Sequence, residues 1–174
     1  NKAPQGAGIY FNDASDDAEE GCSGKHEHLI TDSTISGNIA SNIGGGMYVG
    51  TISNLTLRNS KLLNNDGASQ GGAIVAYSAR TIELDGASIS ENKAASGAGI
   101  YALGTATCKP DIRLLNGTVI DRNTASDYGG AICANASNIN IAENSALHNN
   151  TAAGMGGAIY AYNGANINIA KNSA

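Results

Sequence analysis

Apolar residues in this chain fall in short clusters that recur, instead of forming one helical stripe or one long run. Three stations line up. The first is led by glycine, as in "GGAIYA" at 156–161, and places Ile9, Met47, Ile74, Ile100, Ile132 and Ile159 in equivalent positions. The second is an alternating triplet about eight residues on: Leu55 and Leu57, Ile82 and Leu84, Ile112 and Leu114, Ile139 and Ile141, Ile167 and Ile169. The third is a single apolar residue, Ile35, Leu62, Ile89, Ile120 or Leu147, three positions before an asparagine. Alternation with period two puts the apolar members on one face of a strand, and runs of three to five residues are too short for amphipathic helices.

The first-station residues are 38, 27, 26, 32 and 27 positions apart, so the unit is about 27 residues, with two copies carrying insertions. Short one-sided strands separated by turn residues, with no helical segment between them, predict an all-β fold: a parallel β-helix of three short strands per turn and about six turns. The usual hand of parallel crossovers makes it right-handed. Residues 1–174 read as one solenoid domain, with insertions at about 11–29 and 102–113. Turns stacked about 4.8 Å apart would give a rod on the order of 25–30 Å long. Opening at Asn1 and closing on "NINIAKNSA", a copy of "NINIAENSA" at 138–146, the chain reads as a piece of a longer array.

The polar positions repeat as strictly as the apolar ones. Asn1, Asn38, Asn65, Asn92, Asn123 and Asn150 recur once per turn. Asparagine tolerates left-handed corners, and its amide can donate and accept along a column of identical neighbours, so these residues predict a structural ladder. The glycines before each first-station residue predict a second sharp bend. With 23 Gly, 2 Pro, 41% hydrophobic and 14% charged residues, the composition excludes disordered, collagen-like and coiled-coil chains. A net charge of −5 without a Lys/Arg stripe gives nothing to hold a nucleic-acid backbone. No run is long enough for a membrane-spanning helix.

The phrase "NNTAAGMGGAIYA" at 149–161 resembles the repeat of the polymorphic outer-membrane proteins best known from chlamydiae, which pairs a GGA[ILV] tetrapeptide with an FxxN tetrapeptide. "GGAI" stands intact at 71–74, 129–132 and 156–159, and the FxxN slot holds "ISGN", "LLNN", "ISEN", "IDRN" and "LHNN", with Ile or Leu in place of Phe. The resemblance implies a β-helical autotransporter passenger at the bacterial outer membrane or outside the cell. It further implies an adhesin or structural stalk whose partner is a host or neighbouring-cell protein or glycan, and which meets the membrane only through a separate anchor or barrel. A broader set of bacterial β-helix surface proteins shares these features.

Both insertions follow the glycine-led strand, so both should leave one edge of the rod, where solenoid insertions often bind. The first carries Asp13, Asp16, Asp17, Glu19 and Glu20, then Cys22, His26 and His28; the second carries Cys108, Lys109 and Asp111. The acids could hold Ca²⁺ and the Cys/His group Zn²⁺, but their spacing matches no established loop and the solvated-loop reading is preferred, with no cofactor. Cys22 and Cys108 are candidates for a disulfide, and Cys108 with Cys133 is the competing pair. The residue after each first-station position forms an outward column, Tyr10, Tyr48, Val75, Tyr101, Cys133 and Tyr160, fit either for stacking on sugars and protein partners or for cross-turn packing alone. The expectation is a non-enzyme. The alternative is a pectate-lyase-like polysaccharide-cleaving enzyme, for which the nearest residues are Asp111, Arg113, Asp121, Arg122 and Asp127.

Overall fold

The computed structural model describes residues 1–12, 26–50, 53–171 and 173. Among them there are only strands, turns and bends. Three tall parallel sheets run along the molecule. The glycine-led stations build a six-stranded sheet: Ile9–Phe11, Met47–Val49, Ile74–Tyr77, Ile100–Leu103, Ile132–Asn135 and Ile159–Tyr162. The alternating triplets build a second: His26–Thr31, Ser53–Arg58, Thr81–Asp85, Asp111–Leu115, Asn138–Ile141 and Asn166–Ile169. The third has five strands: Thr34–Ser36, Lys61–Leu63, Ser88–Ser90, Val119–Asp121 and Ala146–His148. Equivalent residues of successive repeats lie directly beside one another, as in Ile100 beside Ile132 and Ile132 beside Ile159. The molecule is therefore the parallel β-solenoid expected.

A fourth, shorter ladder was not expected. It comprises Lys2–Gln5 with Ile39–Ile43, and Lys93–Ser96 with Thr124–Tyr128 and Thr151–Ala152, joined through bridges at Asp66 and Gln70. Its sequence lies between the asparagine and the glycines and is rich in Ala and Ser, so no apolar alternation marks it. Main-chain pairing holds it, with Ala94, Ala98 and Ala125 as its small buried contact.

The core is a bundle of aliphatic columns. Met47, Ile74, Ile100 and Ile132 from the first sheet meet Leu55, Ile82, Ile112 and Ile139 from the second, and Leu62, Ile89 and Ile120 from the third. All are essentially buried. No turn could shield these side chains alone, so stability accrues from neighbouring turns.

The asparagine ladder is present and continuous. Each Nδ2 donates to the next Oδ1 along Asn1, Asn38, Asn65, Asn92, Asn123 and Asn150, at 2.8–3.0 Å. From Asn38 to Asn123 the main-chain N–H donates to the same oxygen. The left-handed corner, however, is not at the asparagine. It belongs to the residue before it, Gly37, Asn64, Glu91, Arg122 or Asn149, with φ between 51° and 64°. That reversal turns the asparagine side chain inward, where it is buried at Asn38, Asn65, Asn92 and Asn123. Glu91 and Arg122 hold a conformation that L-residues avoid, so the turn is imposed by the stack and not by their own preference.

The paired glycines divide two tasks. The first of each pair, as at Gly129 with φ 61°, adopts the left-handed bend. The second lets the next turn approach: a Cβ on Gly130 would lie 2.2 Å from the carbonyl oxygen of Gly157.

Candidate functional site

The corner between the first and second sheets is where the turns differ most in length. Only Ala136 and Ser137 separate Ile132–Asn135 from Asn138–Ile141, whereas Gly104 to Pro110 separate Ile100–Leu103 from Asp111–Leu115. The second insertion is thus shorter than 102–113, because the flanking strands claim its ends. The same holds for the first, since Phe11 ends one strand and His26 opens the next. Residues Asp13, Asp16, Asp17, Glu19, Glu20 and Cys22 lie outside the described residues. Among the described residues no group of three or more His, Cys, Asp or Glu side chains is arranged to hold a metal ion.

The second insertion is tied back on itself. Thr105 N–H donates to the Cys108 carbonyl at 2.7 Å, and Cys108 N–H donates to Thr105 Oγ1 at 3.1 Å. This turn sets Pro110 beside Arg80, so that Asp111 N–H bonds to the Arg80 carbonyl at 2.9 Å and the second sheet resumes in register. Lys109 is left exposed at the rim. Cys108 is disulfide-bonded. Cys133 is a free buried thiol, pushed up to about 12 by burial and by the nearby Asp127 carboxylate, so the Cys108–Cys133 pair is not formed.

Beside this corner, the outer face of the second sheet carries a shallow groove of about 600 Å³. Arg80 and Lys109 stand at its rim, and Glu83, Asp111 and Arg113 lie on its floor. Arg113 bridges the acids, 2.7 Å from Asp111 and 4.0 Å from Glu83. Asp111 also accepts from Asn140 at 2.6 Å, and Glu27 accepts from Asn54 at 2.9 Å. Lys109, Asp111 and Arg113 come from one turn, while Arg80 and Glu83 join them from the preceding turn. For Glu83 and Arg113 the signal was available in the sequence: they are the polar members of the alternating triplets, which align once the apolar members are aligned, whereas Arg80 stands before its triplet.

The remaining candidates are placed otherwise. His26 is exposed on the first strand of the second sheet. His28 is not a surface ligand. It occupies the inward column that Leu55 continues, half-buried, with its ring stacked on Phe11 at 4.1 Å. The tyrosine column is outward, and past the exposed Tyr10 it is partly or fully covered. Tyr101 is buried with Val75 and Cys133, under a shell that includes Ile43, Leu103, Tyr128 and Tyr162. Tyr48 stacks on Tyr10 at 4.8 Å, and Tyr160 on Tyr128 at 4.9 Å. Burial is the main cause that raises the Tyr48 and Tyr101 phenols above their ordinary range. The column is thus a second, external apolar seam between turns.

The residues of the catalytic alternative are dispersed. Asp111 and Arg113 are on the second sheet, Asp121 is on the third and Asp127 is on the short fourth ladder. Asp121 has its own neighbours: His148 Nδ1 at 2.8 Å, Asn149 Nδ2 at 3.0 Å and the Arg122 guanidinium. Burial raises its pKa, but the hydrogen bonds from Asn149 and His148 and the Arg122 charge outweigh it and hold the carboxyl below the usual carboxylate range.

Comparison with known proteins adds one family. Residues 117–135 and 138–162 match the Chlamydia polymorphic membrane protein (Chlamydia_PMP) repeat. Each match carries third-sheet, fourth-ladder and glycine-led strands of one turn, including the ladder asparagine and the glycine pair. No curated protein and no solved structure matches the chain. Polymorphic membrane proteins are associated with the bacterial outer membrane or surface, and their repeat is that of a surface-exposed, autotransporter-like passenger. Repeat motif, ladder and fold together make this chain a β-solenoid repeat protein whose residues 117–135 and 138–162 are similar to the polymorphic membrane protein repeat.

Proposed function

We propose that this chain is the adhesive part of a secreted bacterial surface passenger, and that it makes contact through the corner where its insertions leave the rod. The observation that carries this reading is the groove beside that corner, which Lys109 from the insertion lines together with Arg80, Asp111 and Arg113. Elsewhere the turns are short, and loops of variable length on a regular scaffold are the natural seat of recognition. The partner is a host or neighbouring-cell protein or glycan. Binding without catalysis fits the dispersal of Asp111, Asp121 and Asp127 over three sheets, since hydrolysis or elimination needs its acids and bases around one bond.

Beads coated with the 174-residue chain should attach to cells more than albumin-coated beads do. Charge reversal at the corner, Arg80→Glu with Lys109→Glu, should abolish attachment. The same reversal at Lys61 and Lys93, on the third sheet and fourth ladder, should not. No attachment by the unaltered chain, or equal loss with both pairs, overturns the proposal. So does release of new reducing or unsaturated ends from acidic polysaccharides.

A further inference from the structure

We infer that the groove on the second sheet binds a carboxylated oligosaccharide, an inference that rests on the adhesive reading above and names the ligand of that site. Three observations carry it. First, Arg80 and Lys109 are both exposed at the rim, on successive turns, and neither side chain is engaged by a described residue. Two uncommitted cations on successive turns of the same groove can share one carboxylate. Second, the acids beside them are already partnered: Asp111 and Glu83 by Arg113, and Glu27 by Asn54. The remaining lone pairs of these acids accept from hydroxyls. A ligand that carries both hydroxyls and spaced carboxylates satisfies the cations and these acceptors together, whereas an acidic peptide meets the cations and offers the acids no hydroxyl.

Third, the groove's lining is mostly polar. Its aliphatic member, Leu55, is 1% exposed and belongs to the core, and the other floor positions are Asn54, Thr56 and Thr81. Protein interfaces anchor on buried aromatic and aliphatic side chains. Neutral sugars are held largely by stacking on aromatic faces, and no aromatic side chain is among the groove's lining residues. What remains is recognition by charge and hydrogen bonds, the chemistry of a uronic-acid-type chain lying along a rigid polar face.

The test is isothermal titration of the 174-residue chain with a galacturonate hexamer, its fully methyl-esterified form and a hexaglutamate peptide, in low and moderate salt. The hexamer should bind and lose affinity as salt rises, while the ester and the peptide should bind at least about tenfold more weakly, since charge-assisted hydrogen bonds to the carboxylates are lost in one and the hydroxyl contacts in the other. Arg80→Gln with Lys109→Gln should weaken the hexamer about tenfold or more. Arg58→Gln, on the same sheet but paired with Asp85 at 2.8 Å, should leave it unchanged and serves as the folding control. Equal binding of acid and ester, preference for the peptide, or an unaffected double variant overturns the inference. If beads still attach to cells while the hexamer does not bind, this inference fails and the adhesive reading stands; if neither occurs, both fail.

Discussion

Asparagine, and no other residue, fits the ladder because it must give and receive at the same two neighbours. Asn92 Oδ1 takes the main-chain N–H of Asn65 at 2.8 Å and its side-chain amide at 3.0 Å. Asn92 Nδ2 shares its hydrogens among Asn123 Oδ1, Leu62 O and Ser90 O, at 2.9–3.1 Å. Aspartate would keep the acceptor and lose both donors. Asn92→Ala strands a buried main-chain donor, and we expect it to cost about 1–3 kcal/mol, read as a lower urea midpoint at unchanged m-value. Asn150→Ala, at a half-buried rung, should cost less, and equal costs would deny the ladder its buried character. Asp121 supplies a pH handle at the same scale. Because its folded pKa lies below the ordinary value, the ionised carboxylate stabilises the fold above the unfolded pKa, about 4. That contribution fades as pH falls further, through the folded pKa. Asp121→Asn should therefore be less stable at pH 7 and should lose less stability between pH 5 and pH 2, as followed by thermal melts.

At the level of the strand and turn, what the sequence made legible depended on whether side chains or main chain defined the element. The three tall sheets each announce themselves through aliphatic residues that must point inward, so aligning Ile132 with Ile159 also aligned their partners. The fourth ladder is specified by main-chain pairing around Ala94 and Ala125, and alanine and serine carry no alternation to read. The corners follow the same rule. The asparagine was visible, but the left-handed residue before it is Gly, Asn, Glu or Arg, and no single residue type flags it. The groove lay hidden for a further reason: its members come from separate turns and are polar, so only registration of the turns unites Arg80 with Lys109. Close approach of the turns at the glycine pair is testable directly. Gly130→Ala puts a Cβ against the Gly157 carbonyl, while Gly37 has no atom within 4 Å of the same position. Both substitutions add one methyl, but only the first must force two turns apart. Gly130→Ala should cost several-fold more than Gly37→Ala, whose penalty is the strain of a left-handed alanine, about 1–2 kcal/mol. Equal melting temperatures for the two variants would contradict the packing described.

Over the whole molecule, the repeat makes stability a sum over neighbouring turns, so the effect of a substitution depends on how many neighbours its turn has. Ile120 is fully buried in the third sheet, with Ile89 on one side and Leu147 on the other. Truncating it opens a cavity against both, and Ile120→Ala should cost about 2–5 kcal/mol. Ile169 occupies an inward column of the second sheet, beside Ile141, and is 58% exposed in the 174-residue chain that would be tested. Ile169→Ala should cost well under about 1 kcal/mol. The same chemical change thus separates position in the stack from residue identity. The two variants should also differ in cooperativity: a weakened middle turn divides the rod into halves that no longer melt as one, broadening the urea transition, whereas a weakened end turn only frays. Circular dichroism at several denaturant concentrations reads both quantities. A sharp transition with equal midpoints for both variants would mean that the chain melts as one indivisible core, and the nearest-neighbour account of this solenoid would have to be given up.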